Sequence, residues 1–319
     1  AARKLRTFLR KKRRKAEEVL AVLEQEPAEM SAPGEEILAA PPVRNITGNI
    51  TGLTILIDFY DQHSAISRSE ILNFLNQQGY SSYSNNGSIR DYFYDVSNGR
   101  LTYLNEATAF VTASQSKSYY DSGENYAHVT ELLYEALDLV RASGFNFGAI
   151  STSNGEFIAL NFLYAGTPDA GWGNGLWPHM GTLDGRYTID GIKVRRYQMS
   201  NIGNELSIGT FCHENGHLIC RWDDLYAYDS HDYGTGRYCI MCATNSKNPQ
   251  MPNPFFRYLA SWLDYTDISG ASQGSVYSLS ANGNMPHRYF TGGSEYFLIE
   301  ARRRTGRSAG LPDEGLLIW

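Results

Sequence analysis

The chain has 319 residues, 42% of them hydrophobic and 19% charged, with a formal net charge of −6. That length allows a sizeable core in one large domain or two smaller ones. The acidic balance gives no general reason to bind nucleic acid, and no apolar run reaches the length of a membrane span or a hydrophobic signal segment.

Nine basic residues lie between Arg3 and Lys15, and acids dominate from Glu17 to Glu36. Leu5, Phe8, Leu9, Val19, Leu20, Val22 and Leu23 recur at helical spacing, so this stretch reads as a solvated amphipathic helix or as a pro-segment. A linker rich in Pro, Ala and Glu follows, and the folded body is expected from Asn45. The run 53–59 (LTILIDF) reads as a buried strand. Ser67 with Glu70 forms a capping-box signature for a helix stopped at Gly79. Residues 100–112 read as a strand, 121–143 as a long amphipathic helix ending at Gly144, and EFIALNFLYAG as another buried strand. Asp190-Gly191 suits a tight hairpin turn, and Asn253-Pro254 opens a short helix. The remainder reads as short strands. The last residues, GLLIW, read as a strand cut short. With frequent Gly, Asn, Ser and 22 tyrosines, the whole suits a loop-rich α+β protein.

The chemistry concentrates in residues 204–220 (NELSIGTFCHENGHLIC). On a helix, positions i and i+4 share a face, so His213 and His217 can present ring nitrogens to one metal ion. Glu214 beside them is placed to take a proton from an activated water. Zinc needs a third protein ligand and an open position. No glutamate occurs between His217 and Glu295, which disfavours a glutamate from a later helix. Metzincin spacing selects the sixth residue past the second histidine, Asp223. Asp224 is one step further, and His231 is a weaker candidate in a polar loop. Cys220 stands where the metzincin turn glycine would be, and Met241 lies where a Met-turn would pass beneath the metal.

With these residues the chain resembles the immune-inhibitor-A type of secreted zinc metallopeptidases. The matching stretches are LTILIDF (53–59), GLWPHM (175–180), IGTFCHENGHLICRWDDLY (208–226), Met241 in CIMCAT, NPFFRYLASWL (253–263), EYFLIEARR (295–303) and LPDEGLLIW (311–319). The resemblance spans nearly everything after residue 50, and only the metal stretch is specific by itself. It implies a metzincin-like α+β domain over residues 45–319, with a mixed sheet, a zinc-binding helix and a Met-turn. It also implies Zn2+, protein or peptide substrates, secretion, and an inhibitory helical pro-segment over residues 1–44. In that prefix Glu29 is the candidate carboxylate to cover the metal. The family's segment after the helix aligns its ligand on Asp224, against Asp223 from spacing alone.

The four cysteines, Cys212, Cys220, Cys239 and Cys242, fall in one stretch. Eight residues of helix separate Cys212 from Cys220 by roughly 12 Å, beyond disulfide reach. In an oxidising compartment each is expected to pair with Cys239 or Cys242, pinning the zinc helix to the Met-turn. A second metal site or a redox pair at 239–242 is the rival. His179 is a candidate for the cleft wall or a buried structural histidine. The loop 167–174 is a minority candidate for Ca2+, without EF-hand spacing. Asn45, Asn49 and Asn86 are glycosylation acceptors if the host glycosylates. The leading expectation is a secreted zinc endopeptidase with His213, His217 and Asp224 or Asp223 on the metal and Glu214 as base. The alternative is a non-catalytic, zinc-stabilised extracellular binding module, which would have no need of Glu214.

Overall fold

A computed structural model describes residues 44–122, 126–171, 173–226, 234–292 and 295–319. The expected pro-segment with Glu29, and His231, lie outside the described residues. The expected strands at 53–59 and 100–112 become β1 (Gly48–Phe59) and β2 (Leu101–Ala113). With β3 (Leu160–Ala165), β4 (His179–Thr182) and β5 (Arg196–Ile202) they form a five-stranded sheet in the order β2-β1-β3-β5-β4. The first four strands in that order run parallel, and β4 is an antiparallel edge strand against β5. Two smaller four-stranded sheets complete the β content among the described residues. The protein is therefore a mixed α and β structure with several sheets, compatible with α+β.

The period-two alternation of β1 divides the core between the two faces of the sheet. Leu53, Ile55, Ile57 and Phe59 point to one face, where they meet α3 (Ala127–Ala142) through Val129, Leu132, Leu133, Ala136 and Val140. Ile50 and Leu56 point to the other. There they meet α1 (Arg68–Asn76), α2 (Ile89–Val96) and α4 (Ile208–Cys220), the helix that carries the His-Glu-x-x-His motif. A last helix, α5 (Pro254–Leu259), is capped by the Asn253 side chain, which accepts from the Phe256 amide. The tight turn at Asp190-Gly191 forms, with φ of 50° and 80°. No helix among the described residues is long and apolar enough to cross a membrane.

Three local expectations change. Ser67 caps α1, but Glu70 does not return the bond; its carboxylate accepts the Tyr80 hydroxyl at 2.8 Å instead. The reciprocal capping box belongs to Ser88 and Asp91 at α2, a helix the sequence reading passed over. The helix expected from residue 121 is broken: a single turn spans Lys117–Tyr120, and α3 begins only at Ala127. The cause is Asp121, whose carboxylate accepts the backbone amides of Asp169, Ala170 and Leu176 and so is tied to the neighbouring loop.

Helix α4 meets the sheet through a polar seam inside an otherwise apolar layer. Asn215 Nδ2 donates to Asn161 Oδ1 at 3.0 Å, and the Tyr103 hydroxyl donates to Asn215 Oδ1 at 3.0 Å. Asn161 in turn donates to the Tyr103 and Asn105 side chains. All of these groups are buried, so the bonds satisfy donors and acceptors that no solvent can reach. Asn215 lies about 200° around the helix from His213, on the opposite face. Replacing Asn215 by Ala strands the Asn161 and Tyr103 groups, and should lower stability by about 2 kcal/mol, read as a lower urea midpoint.

Candidate metal centre

Helix α4 ends because Arg221 adopts the left-handed conformation, φ 61°, and its amide bonds back to His217 O at 3.2 Å. The reversal that a glycine at position 220 was expected to make thus falls one residue later. From there the chain passes back beneath the helix. Trp222 stacks on Phe256 and packs edge-on against Trp262, and its carbonyl faces His217. Leu225 N donates to Met241 O at 2.7 Å. Between these two anchors sits Asp224, its side chain only 6% exposed.

The result is a triangle of donor atoms. His213 Nε2 and His217 Nε2 are 3.2 Å apart, and each lies 3.2 or 3.1 Å from Asp224 Oδ1. The other nitrogens are committed: His213 Nδ1 donates to Ile240 O at 2.8 Å, and His217 Nδ1 to Trp222 O at 2.5 Å. A carbonyl only accepts, so Nδ1 carries hydrogen in both rings and the Nε2 lone pairs point inward in the neutral state. Two lone pairs and a carboxylate oxygen therefore converge, which is unfavourable without a positive charge among them. Ligands held tetrahedrally at about 2.1 Å from a small divalent cation lie about 3.4 Å from one another, close to the edges of the triangle. Among the described residues this is the group that could hold a metal ion. Asp223, by contrast, is exposed and is not part of it.

A proton can balance the same charges. Burial opposes ionisation of His213, but the bond to Asp224 and the nearby Glu214 outweigh it and hold the imidazole up at about 9. Glu214 is buried next to the triangle. Burial pushes its carboxyl up, while the two imidazoles and the nearby Met180 backbone N–H pull it down. Met180 belongs to β4, so the edge strand forms one wall of the site. Beside it, His179 is a positioned cleft residue: Nδ1 donates to Trp177 O at 2.6 Å and Nε2 accepts the Tyr197 hydroxyl at 2.9 Å.

Met241 lies under α4. A Cβ on Gly216 would come within 2.7 Å of Met241 Sδ and 3.0 Å of Trp222 Cε3, so only glycine lets the turn approach between the two histidines. The expected disulfides are corrected here: none of the four cysteines is disulfide-bonded. Cys212, Cys220 and Cys239 are packed into the apolar core, and burial pushes their thiols up, Cys239 to about 11, which keeps them protonated. Hydrogen bonds do the pinning instead, from His213 to Ile240 O and from Leu225 to Met241 O. The cysteine argument for an oxidising compartment falls with the disulfides. In the loop considered for Ca2+, Asp169 is ion-paired with Lys117 at 2.7 Å.

The sequence reading missed three contributors: the Ile240 carbonyl, the Trp222 carbonyl and Asn215. The first two are backbone groups with no residue-type signal; Asn215 was visible inside the motif as a polar residue on a buried face. Compared against known protein families and curated proteins, the chain matches none of them.

Asp224→Ala should abolish tight metal binding while Asp223→Ala leaves it at the parent level, measured by competition with a chromogenic chelator. Cation uptake requires His213 to lose its proton. Apparent affinity should therefore fall about tenfold for each pH unit below about 9, with proton release seen in calorimetry in two buffers of different ionisation heat.

Proposed function

We propose that the chain is a zinc-dependent peptide hydrolase of the metzincin kind, with His213, His217 and Asp224 as ligands and Glu214 as general base. The observation that carries it is the placement of Glu214. A site that only stabilised the fold would need the triangle and nothing more. Here a buried carboxylate stands beside the triangle, flanked by the edge of a sheet. Two imidazoles and one carboxylate suit zinc with one position left open. Further support comes from Met241 beneath the helix and from the antiparallel edge strand β4, against which an extended peptide can pair. The motifs shared with the immune-inhibitor-A type of peptidases point the same way.

Bound zinc supplies Lewis acidity that polarises the scissile carbonyl and acidifies the attacking water. The Glu214 carboxylate takes that water's proton and delivers it to the nitrogen of the departing amine. Burial raises Glu214, bringing its proton affinity closer to neutrality than that of a solvated carboxylate. The Ile240 and Trp222 carbonyls hold the two imidazoles in the ligating tautomer. His179, locked by Tyr197 and Trp177, stiffens the strand that carries the Met180 amide.

Glu214→Gln should fold and bind zinc like the parent yet lose at least about 100-fold in casein hydrolysis, and the parent should be silenced by a chelator and restored by zinc. Parent-like turnover in the zinc-loaded Gln variant would rule out the role.

A further inference from the structure

Packed on His179 and within the field of Glu214 lies a tyrosine, Tyr126, that the mechanism does not use. It sits immediately before α3 with φ +61°, a conformation unfavourable for any residue with a Cβ and one that concentrates at functional sites. Its ring lies against that of His179, with centroids 4.3 Å apart. His179 is fixed at both nitrogens, so the surface that positions the tyrosine is rigid. The residue after His179 is Met180, whose backbone N–H lies near the Glu214 carboxyl. The phenol is thus one ring removed from the strand that borders Glu214. Burial and the Glu214 charge together push its ionisation up to about 12, so it stays a neutral donor near neutral pH.

The hydroxyl's partners set it apart. Each fully buried tyrosine uses its hydroxyl inside the protein: Tyr80 with Glu70, Tyr92 with Gln250 O, Tyr103 with Asn215, Tyr120 with Glu135, Tyr164 with Leu176 O and Tyr197 with His179. Tyr126 is half-buried, and only its carbonyl is engaged, by Thr130. Among the described residues its hydroxyl has no hydrogen-bond partner. A neutral O–H, oriented by a locked ring and partly withdrawn from water, lacks only an acceptor that arrives with the substrate.

We propose that Tyr126 is a catalytic residue whose phenol donates a hydrogen bond to the scissile carbonyl oxygen of the bound peptide, a bond that strengthens as that oxygen gains charge. This rests on the peptidase reading above. The phenol keeps its proton throughout. Water adds to the carbonyl carbon, its proton passes to Glu214 and then to the amine, the C–N bond breaks, and the charge on oxygen is dispersed by the donated bond until the carbonyl re-forms.

The test uses the full chain, zinc-loaded, with casein as substrate and a phosphinic peptide as a tetrahedral mimic. Tyr126→Phe should lower kcat about 100-fold with KM within about twofold, and weaken the phosphinic peptide by a similar factor. Zinc content and thermal midpoint should match the parent. Parent-like kcat and parent-like phosphinic affinity, in a protein that Glu214→Gln inactivates, would show that Tyr126 only packs on His179. Loss of zinc or a lowered midpoint in Tyr126→Phe would likewise make it structural and overturn the proposal. A zinc-loaded parent that cleaves no casein would remove the peptidase reading and this role with it, and the inactivity of the parent tells that failure from the others.

Discussion

The rotation of α4 about its own axis is the constraint on which the rest of the site depends. Its hydrophobic residues alone would tolerate some rolling, because Ile208, Phe211, Leu218 and Ile219 meet a broad apolar layer. Hydrogen bonds are directional, and the pair that Asn215 makes with Asn161 and Tyr103 has one good geometry. With Asn215 fixed toward the sheet, helical geometry turns His213 and His217 the other way, toward the returning chain. The bonds are buried, so turning the helix would expose unsatisfied groups to an apolar layer, which is costly. The His-Glu-x-x-His motif is thus a tether as well as a donor set, because one of its spacers holds the helix in register with the sheet.

The second layer of control is backbone. Two carbonyls, Ile240 O and Trp222 O, orient the imidazoles, and one amide, Met180 N, lies near the Glu214 carboxyl. They come from three separate elements: the turn through Met241, the segment just after α4, and the edge strand. Gly216 permits that turn to lie against the helix, and the left-handed Arg221 sends the chain back in time for Asp224 to complete the triangle. The four thiols add no covalent staple to this assembly. Burial makes Cys212, Cys220 and Cys239 small core residues, and the pinning that disulfides were expected to supply is done by the hydrogen bond from His213 to Ile240 O.

Much of the local architecture was legible in the chain. The buried strands β1 and β2 announced themselves as apolar runs, the hairpin at Asp190-Gly191 as a turn dipeptide, and α5 by its Asn-Pro start. What misled was side chains whose partners are distant in sequence. Glu70 looked like a cap partner, but Tyr80 outcompetes the helix terminus for it. The Asp121 region had helical periodicity, yet its carboxylate is claimed by amides of a loop some fifty residues away. Local pattern cannot register a competitor that only folding brings near.

For the site, the sequence by itself determined the composition: two imidazoles and a carboxylate on one helical face, because 3.6 residues per turn leave residues 213, 214 and 217 no other arrangement. It left open which of the adjacent aspartates, Asp223 or Asp224, stands beside the two histidines. Only the tertiary structure decided that. Neighbouring side chains on a returning, extended segment point in different directions, so the choice depends on where the turn at Arg221 and the bond from Leu225 to Met241 O hold the backbone. It buries Asp224 against both histidines and leaves Asp223 in solvent.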